Sequence, residues 1–231
     1  MKILVSILTH EGTQSSADAC TKTWLKDIQD PHEYYFYGSK HQSQKMDRTW
    51  NCEPDDGECR GRLPEKTYKM LVESLNHDWD FLFKCDDDTF VVFDRLIDLL
   101  KNYNPNDELY IGCKIVNPIA YGQGGAGYIL TRGAVRKCIK SLQHIYNDRS
   151  RNKIAEDYSV ALALIEQGIA LTATKWLTSP TPQHARQNQS VCVDDIVNKN
   201  VITTHYVRPE TMLRIYDELI RPPVNHRRIF L

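Results

Sequence analysis

The stretch WDFLFKCDDDTF, Trp79 to Phe90, constrains the fold more than any other part of the chain. Trp79, Phe81, Leu82 and Phe83 form a short, almost continuous apolar run, closed by Lys84 and Cys85. Such a run reads as a strand buried on both faces, as in a parallel sheet covered by helices. Three carboxylates follow at once: Asp86, Asp87 and Asp88. Ligands of open α/β sheets bind at the carboxyl ends of strands, and a divalent cation there would relieve the repulsion between three adjacent like charges. Hard oxygen ligands suit Mg2+ or Mn2+. The plainer alternative is a solvated acidic turn in which Asp88 caps the helix that follows. The position directly after an aromatic core strand favours the cation site.

The rest of the chain alternates strands with helices, which is the α/β pattern. Ile3 to Leu8 reads as a first buried strand, and Thr9, His10, Glu11 and Gly12 as its carboxyl-end loop, a natural seat for a nucleotide. Ser15 or Ser16 caps a helix running to about Gln29, and Tyr34 to Tyr37 is an aromatic second strand. Residues 39–63 are polar and read as a long binding loop or lid. Pro64 opens a helix with Tyr68, Leu71, Val72 and Leu75 on its apolar face. After the Asp triplet come a helix at Phe93 to Leu100, a strand at Leu109 to Gly112, and a glycine-rich loop, Tyr121 to Gly127. Helices at Thr131 to Leu142 and Glu156 to Gln167 precede a strand at Ile169 to Thr174. Leu177 to Asn200 reads as irregular and polar, Val201 to Thr204 as a strand ending in His205, and Pro209 as the start of a last helix. No repeat, heptad run or linker interrupts the 231 residues, so the expectation is one domain over 1–231.

Charge and cysteine content narrow the partners. The net charge of −1 gives no basic surplus for nucleic acid or an anionic membrane. The seven cysteines form no CxxC, which removes zinc-knuckle and thioredoxin-type motifs. Their odd number, with an N-terminus that is too short in apolar run for a signal peptide, fits reduced thiols in a cytosol. Cys52 and Cys59 would pair only in an oxidising compartment. No segment is long and apolar enough to span a bilayer.

Several motifs carry two readings. Gly122 to Gly127 matches GxGxxG in form, but it does not follow the first strand of a βαβ unit. It reads instead as backbone passing close to a ligand or filling a tight corner. The core strand with its Asp triplet resembles a Walker B strand, yet the chain holds no GxxxxGK[ST]. Glu156 and Asp157 open a helix, where acids are favoured by the helix dipole; Asp157 is alternatively a general base held apart from the metal. His205 becomes a ligand if its strand lies beside the Asp site, and imidazole would tilt the preference toward Mn2+. Trp176 is either plain packing or a stacking surface for an acceptor sugar.

Taken together, these motifs stand in a known order. The pieces are ILVSILT, KTWL, LPEKTYKML, WDFLFKCDDDTFVVFDRL, ELYIGCK, QGGAGYILTRGAV, AEDYSVALAL and THYVRPETM. The chain resembles glycosyltransferase family 31, the β1,3-glycosyltransferases that include Fringe and the core 1 β1,3-galactosyltransferase. The resemblance implies a GT-A fold: a Rossmann-like mixed central sheet flanked by helices, in one domain. It implies a UDP-sugar donor, Gal or GlcNAc above all, Mn2+ or Mg2+, and a glycan or glycoconjugate acceptor joined through a β1,3 linkage with inversion. Carried over residue by residue, Asp88 and His205 hold the metal and Asp157 is the catalytic base. Asp86 and Asp87 meet the donor, Thr9 its uridine side, and Lys66 lies near it. Gly124 and Gly125 wall the sugar and acceptor site. The glycine that commonly follows the family's ED motif is absent from EDYSVALAL. The family's stem and anchor are also missing, so the expected setting is a stripped-down catalytic core in the cytoplasm, or the Golgi lumen if the chain is cut from an anchored protein. The alternative function is a non-catalytic UDP-sugar or glycan-binding module on the same fold.

Overall fold

A computed structural model describes residues 1–38, 49–51, 63–148 and 154–220. Its central sheet has seven strands: β1 (Ile3–Leu8), β2 (Glu33–Gly38), β3 (Thr49–Asn51), β4 (Phe81–Asp86), β6 (Tyr110–Gly112), β9 (Tyr128–Thr131) and β10 (Leu171–Ala173). They lie in the order β10-β6-β9-β4-β1-β2-β3. β1 runs parallel to β2 and β4, whereas β9 is antiparallel to both β4 and β6. The sheet is therefore mixed, and β4 lies at its middle.

Strand periodicity explains how the core divides. Successive side chains of a strand point to opposite faces. Ile3, Val5, Ile7, Phe81, Phe83 and Cys85 pack on one face. There they meet α1 (Gln14–Lys22), α3 (Phe93–Leu100), α7 (Ser190–Val197) and α8 (Pro209–Ile220) through Ala17, Cys20, Leu96, Ile196 and Ile215. Leu4, Leu8 and Leu82 pack on the other, against α2 (Leu63–Ser74), α4 (Arg132–Asn147) and α5 (Glu156–Ile165) through Met70, Leu71, Val135, Leu142, Val160 and Leu164. Each fully buried Leu or Phe contributes about 1.5–3 kcal/mol. The run from Phe81 to Cys85 is buried throughout, as expected of a strand covered on both faces.

Two smaller sheets border the carboxyl end of β4. In one, β5 (Phe90–Val91) pairs antiparallel with β12 (Thr203–Thr204), which pairs parallel with β11 (Leu177–Thr178). In the other, β7 (Lys114–Val116) and β8 (Ala120–Gly122) form a hairpin.

The structure corrects several local expectations. The first helix stops at Lys22 and a 3-10 turn, Trp24–Asp27, follows. The Thr23 hydroxyl donates to the Ala19 carbonyl at 2.7 Å, a back-bond that competes with continuing the helix. The stretch 177–200 is not irregular: it holds β11, α6 (Pro182–Gln187) and α7. Its apolar residues gather in α7, where Cys192, Val193 and Ile196 are buried together with Asp195, whose carboxylate accepts from the Thr178 and Thr204 hydroxyls. Inside the polar stretch 39–63, Thr49–Asn51 forms the edge strand β3. Cys52, Cys59 and the prolines after α8 lie outside the described residues. Cys20, Cys85, Cys113, Cys138 and Cys192 are free thiols. No described helix is long and apolar enough to cross a membrane.

Candidate active site

The Asp triplet divides at the end of β4. Asp86, the last residue of the strand, shares a face with Leu82 and Lys84, whereas Asp87 and Asp88 lie in the turn beyond it. Asp86, Asp88 and His205 converge so that one ligand atom of each lies within 4.8 Å of the others. The His205 Nε2 is 3.0 Å from Asp88 Oδ1 and 3.8 Å from Asp86 Oδ2. His205 arrives there through the small sheet: Thr204 pairs with Phe90, two residues past Asp88. The Val207 N–H donates to the Asp88 carbonyl at 2.8 Å and ties the chain after His205 to the triplet. About a third of each carboxylate side chain is open to solvent (33% and 34%), whereas the imidazole is almost wholly covered. The Nδ1 side of the ring meets protein, with Gln123 Nε2 at 3.2 Å and Ser179 Oγ at 3.4 Å. That arrangement turns Nε2 toward the carboxylates, as partners on the far nitrogen do for a ligating histidine. Two carboxylates and an imidazole with an open side fit a divalent cation such as Mn2+.

Asp87 does not join this cluster. It is buried, and its Oδ2 accepts hydrogen bonds from the Thr9 hydroxyl at 2.6 Å and from the Thr13 hydroxyl. Burial, reinforced by the neighbouring Asp88 charge, pushes its carboxyl up to about 8. The Asp87 side chain thus braces the loop after β1. Thr9 is itself buried, and the ammonium of Lys66 donates to its carbonyl at 2.5 Å. Lys66 and Thr9 therefore stand together at the carboxyl end of β1, joined to the triplet through Asp87.

Asp157 sits in the first turn of α5. Its Oδ2 accepts the Gly124 N–H at 2.9 Å and its Oδ1 accepts the Tyr158 N–H at 2.8 Å. Each carboxylate oxygen keeps a second acceptor position. The side chain is partly exposed, and the helix N-terminus favours its negative charge. Capping and availability to a ligand are both satisfied by this one geometry.

Three groups in the site escape a reading of the sequence alone. Lys84, the residue that closes the apolar run, is fully buried. Its ammonium donates to Asp86 Oδ1 at 2.8 Å, to Glu156 Oε1 at 2.5 Å and to the Gly124 carbonyl at 3.2 Å. All three N–H groups are used, which is how a buried charge is tolerated. Burial would lower the lysine, but the Asp86 and Glu156 carboxylates outweigh it and hold the ammonium well above its ordinary value. Burial would also raise the Asp86 carboxyl, yet Lys84 and then His205 hold it below its ordinary value. Glu156 reaches Tyr128 as well, whose hydroxyl donates to Oε2 at 3.3 Å. The signal available in the sequence is a single lysine in an otherwise apolar strand, on the face shared with Asp86. Its partner lies 72 positions away. Gln123 and Ser179 are the other two, placed only by the approach of His205.

The glycine loop is shaped by these neighbours. A Cβ on Gly124 would overlap the Glu156 carboxylate, and one on Gly125 would overlap the His205 ring. Gly127 has φ +93°, and a Cβ there would press on the Phe83 ring. The Gly125 carbonyl accepts the Thr89 hydroxyl at 2.5 Å, which fixes the loop over the triplet. Gly124 and Gly125 thus press on the site's own side chains. Gly125→Ala is expected to destabilise the fold by about 1–3 kcal/mol through overpacking, read by chemical denaturation. An unchanged unfolding midpoint would mean that the loop yields freely. Trp176 is exposed at 39%, with Lys175 Nζ 4.7 Å from its ring centre, so it is not core packing.

Comparison with known proteins places the chain. The glycoprotein-N-acetylgalactosamine 3-beta-galactosyltransferase 1 of Xenopus laevis is 33% identical over 92 residues, 38% of this chain and 26% of that protein. The beta-1,3-glucosyltransferase of Mus musculus is 27% identical over 115 residues, 46% of this chain and 23% of that protein. The matched stretch spans about a quarter of the length of these relatives. Among solved structures, a glycosyltransferase involved in glycosylation of the major capsid of PBCV-1 superposes with a TM-score of 0.60 at 10% identity, over 93% of this chain and 98% of that one. The galactosyltransferase LgtC, in complex with donor and acceptor sugar analogs, superposes with a TM-score of 0.55 at 11% identity, over 97% and 98%. At such identities the likeness is one of fold, and the expected GT-A architecture is the one observed. The Fringe-like family profile matches residues 2–208, and the chain belongs to the Fringe-like family, in keeping with its resemblance to glycosyltransferase family 31.

Proposed function

We propose that the chain is an inverting, metal-dependent glycosyltransferase. It moves a hexose, Gal or GlcNAc, from a UDP-sugar to a hydroxyl of a glycan or glycoconjugate, forming a β1,3 linkage. The observation that carries this reading is the convergence of Asp86, Asp88 and His205 at the end of β4. It is strengthened by Asp157, which is anchored to the same glycine loop that covers His205.

Asp86, Asp88 and His205 would hold the cation, and Mn2+ suits their mixed oxygen and nitrogen set. When bound, the cation would supply Lewis-acid neutralisation of charge on the departing diphosphate. Asp157 accepts the proton of the acceptor hydroxyl as that oxygen attacks the anomeric carbon. A carboxylate suffices, because the hydroxyl is losing its proton in the transition state. One displacement with one base inverts the anomeric centre, hence a β product from an α-linked donor. Gly124 and Tyr158 aim Asp157 through their backbone N–H groups, and Lys84 fixes Asp86 and Glu156 relative to one another.

UDP binding with Mn2+ and with chelator tests the cation site directly, and UDP release from a panel of UDP-sugars identifies the donor. Chelation, Asp88→Ala and His205→Ala are each expected to weaken UDP binding by more than about tenfold. Equal affinity in all of these conditions would sink the cation-site reading. Metal-dependent binding with no transfer to any hydroxyl acceptor would instead favour the binding-module alternative.

A further inference from the structure

His205 and Tyr206 are neighbours in the chain, yet their rings lie one against the other. The centroids are 3.6 Å apart and the planes differ by 24°. Consecutive residues of an extended strand point to opposite sides, so a stack between neighbours requires the backbone to reverse. Tyr206 makes that reversal, with φ +63°. This is the left-handed region, unfavourable for a residue with a large side chain and open at little cost to glycine. Only Tyr206 and Asn200 adopt it among the described non-glycine residues.

The surroundings hold Tyr206 in this conformation from both sides. Before it, Thr204 is paired with Phe90. After it, the Val207 N–H donates to the Asp88 carbonyl at 2.8 Å, and the Gln189 amide donates to the Tyr206 carbonyl at 2.9 Å. Unfavourable backbone persists where neighbours over-determine it, characteristically at functional sites. The product of the strain is the stack itself. It covers the imidazole and blocks the ring from swinging away from Asp86 and Asp88. The electron-rich face of the phenol also favours an imidazole that gains positive character on ligating a cation.

We propose that Tyr206 is a positioning residue for the metal site: its ring, brought onto His205 by the left-handed turn, holds Nε2 toward Asp86 and Asp88. This rests on the reading of that cluster as a divalent-cation site. A ligand held in its binding orientation loses less freedom when the cation arrives, so the stack raises cation affinity.

Three variants separate positioning from mere stability. Tyr206→Phe keeps the stack, Tyr206→Leu keeps bulk without an aromatic face, and Tyr206→Gly relieves the backbone but removes the ring. Mn2+ is titrated into protein with UDP by calorimetry, and each variant's melting temperature is measured. Tyr206→Phe is expected to match the parent. Tyr206→Gly and Tyr206→Leu are expected to weaken Mn2+ binding by about tenfold or more. Tyr206→Gly is further expected to melt no lower than Tyr206→Leu, so that affinity and stability part company. If the parent protein requires Mn2+ for UDP binding and the Gly and Leu variants bind Mn2+ equally well, the role of Tyr206 is overturned alone. If the parent binds UDP without regard to Mn2+, the cation-site reading falls and this role falls with it.

Discussion

Asp157→Asn is expected to lower transfer by about 10²–10⁴-fold, the range over which a positioned general base contributes. Metal-dependent UDP binding should be unchanged, because Asp157 is not among the grouped ligands Asp86, Asp88 and His205. The substitution is nearly isosteric. The asparagine oxygen can still accept one of the two N–H groups, from Gly124 or Tyr158, that the carboxylate now accepts. Losing the second hydrogen bond costs about 1 kcal/mol, too little to unfold the domain. The effect should therefore be confined to turnover, measured as initial rates at saturating donor alongside UDP affinity. Near-parental turnover would remove Asp157 from the role of base. A parallel loss of UDP affinity would show that it serves the donor instead.

Lys84→Met should produce the largest change in stability, a loss of about 3–5 kcal/mol, the penalty for stripping one partner from a buried ion pair. The ammonium is fully buried and serves two carboxylates and a carbonyl. Without it, Glu156, whose carboxyl burial already pushes up to about 7, is left buried beside Asp157 with no cation to offset its burial. For a chain of this size the loss corresponds to roughly 6–20 °C in melting temperature. A double-mutant cycle sharpens the test. Adding Glu156→Gln to Lys84→Met removes the stranded carboxyl and should restore part of the loss, because contacting residues are not additive. Additive losses would mean that the pair is not energetically coupled. The pH dependence has a definite sign. On the alkaline side the carboxylates raise the folded-state lysine above its ordinary value, so its stabilisation is lost as pH rises through the folded value; on the acid side Lys84 helps hold the Asp86 carboxyl below its ordinary value, so that share is lost as pH falls through the folded one.

Much of the architecture is legible in short stretches of sequence. The apolar run before Asp86 marks a strand buried on both faces, and Ile3 to Leu8 marks its neighbour. The acidic pair Glu156-Asp157 marks the start of a helix. These signals need only the side-chain period of a strand or a helix turn, both set within a few residues. The same period tells that Lys84 and Asp86 share a face; that Asp87 turns away to Thr9 and Thr13 is decided by the turn beyond the strand. Where local signals mislead, a local competitor is visible in the structure. The Thr23 back-bond ends α1 early, and the polar residues on either side of the short apolar α7 hide it within a polar stretch.

Pairings across the chain follow a different rule. Nothing near Lys84 names Glu156 as its partner; burial of α5 against the sheet brings them together and makes an unpaired ammonium intolerable. Nothing near His205 names Asp88; the register of β12 on β5 does, through a second sheet separate from the main one. The chemistry of the loop glycines follows from that meeting, since their missing Cβ atoms make room for Glu156 and for the His205 ring. The neighbour stack of His205 and Tyr206 is adjacent in sequence and still invisible there. It depends on a left-handed backbone enforced by Asp88 and Gln189, residues far away in the chain. Sequence alone determined most of the longer elements and the chemical groups they carry, because propensity and periodicity act locally. Tertiary structure decided which groups face one another, because register, burial and charge pairing are settled only when distant segments pack.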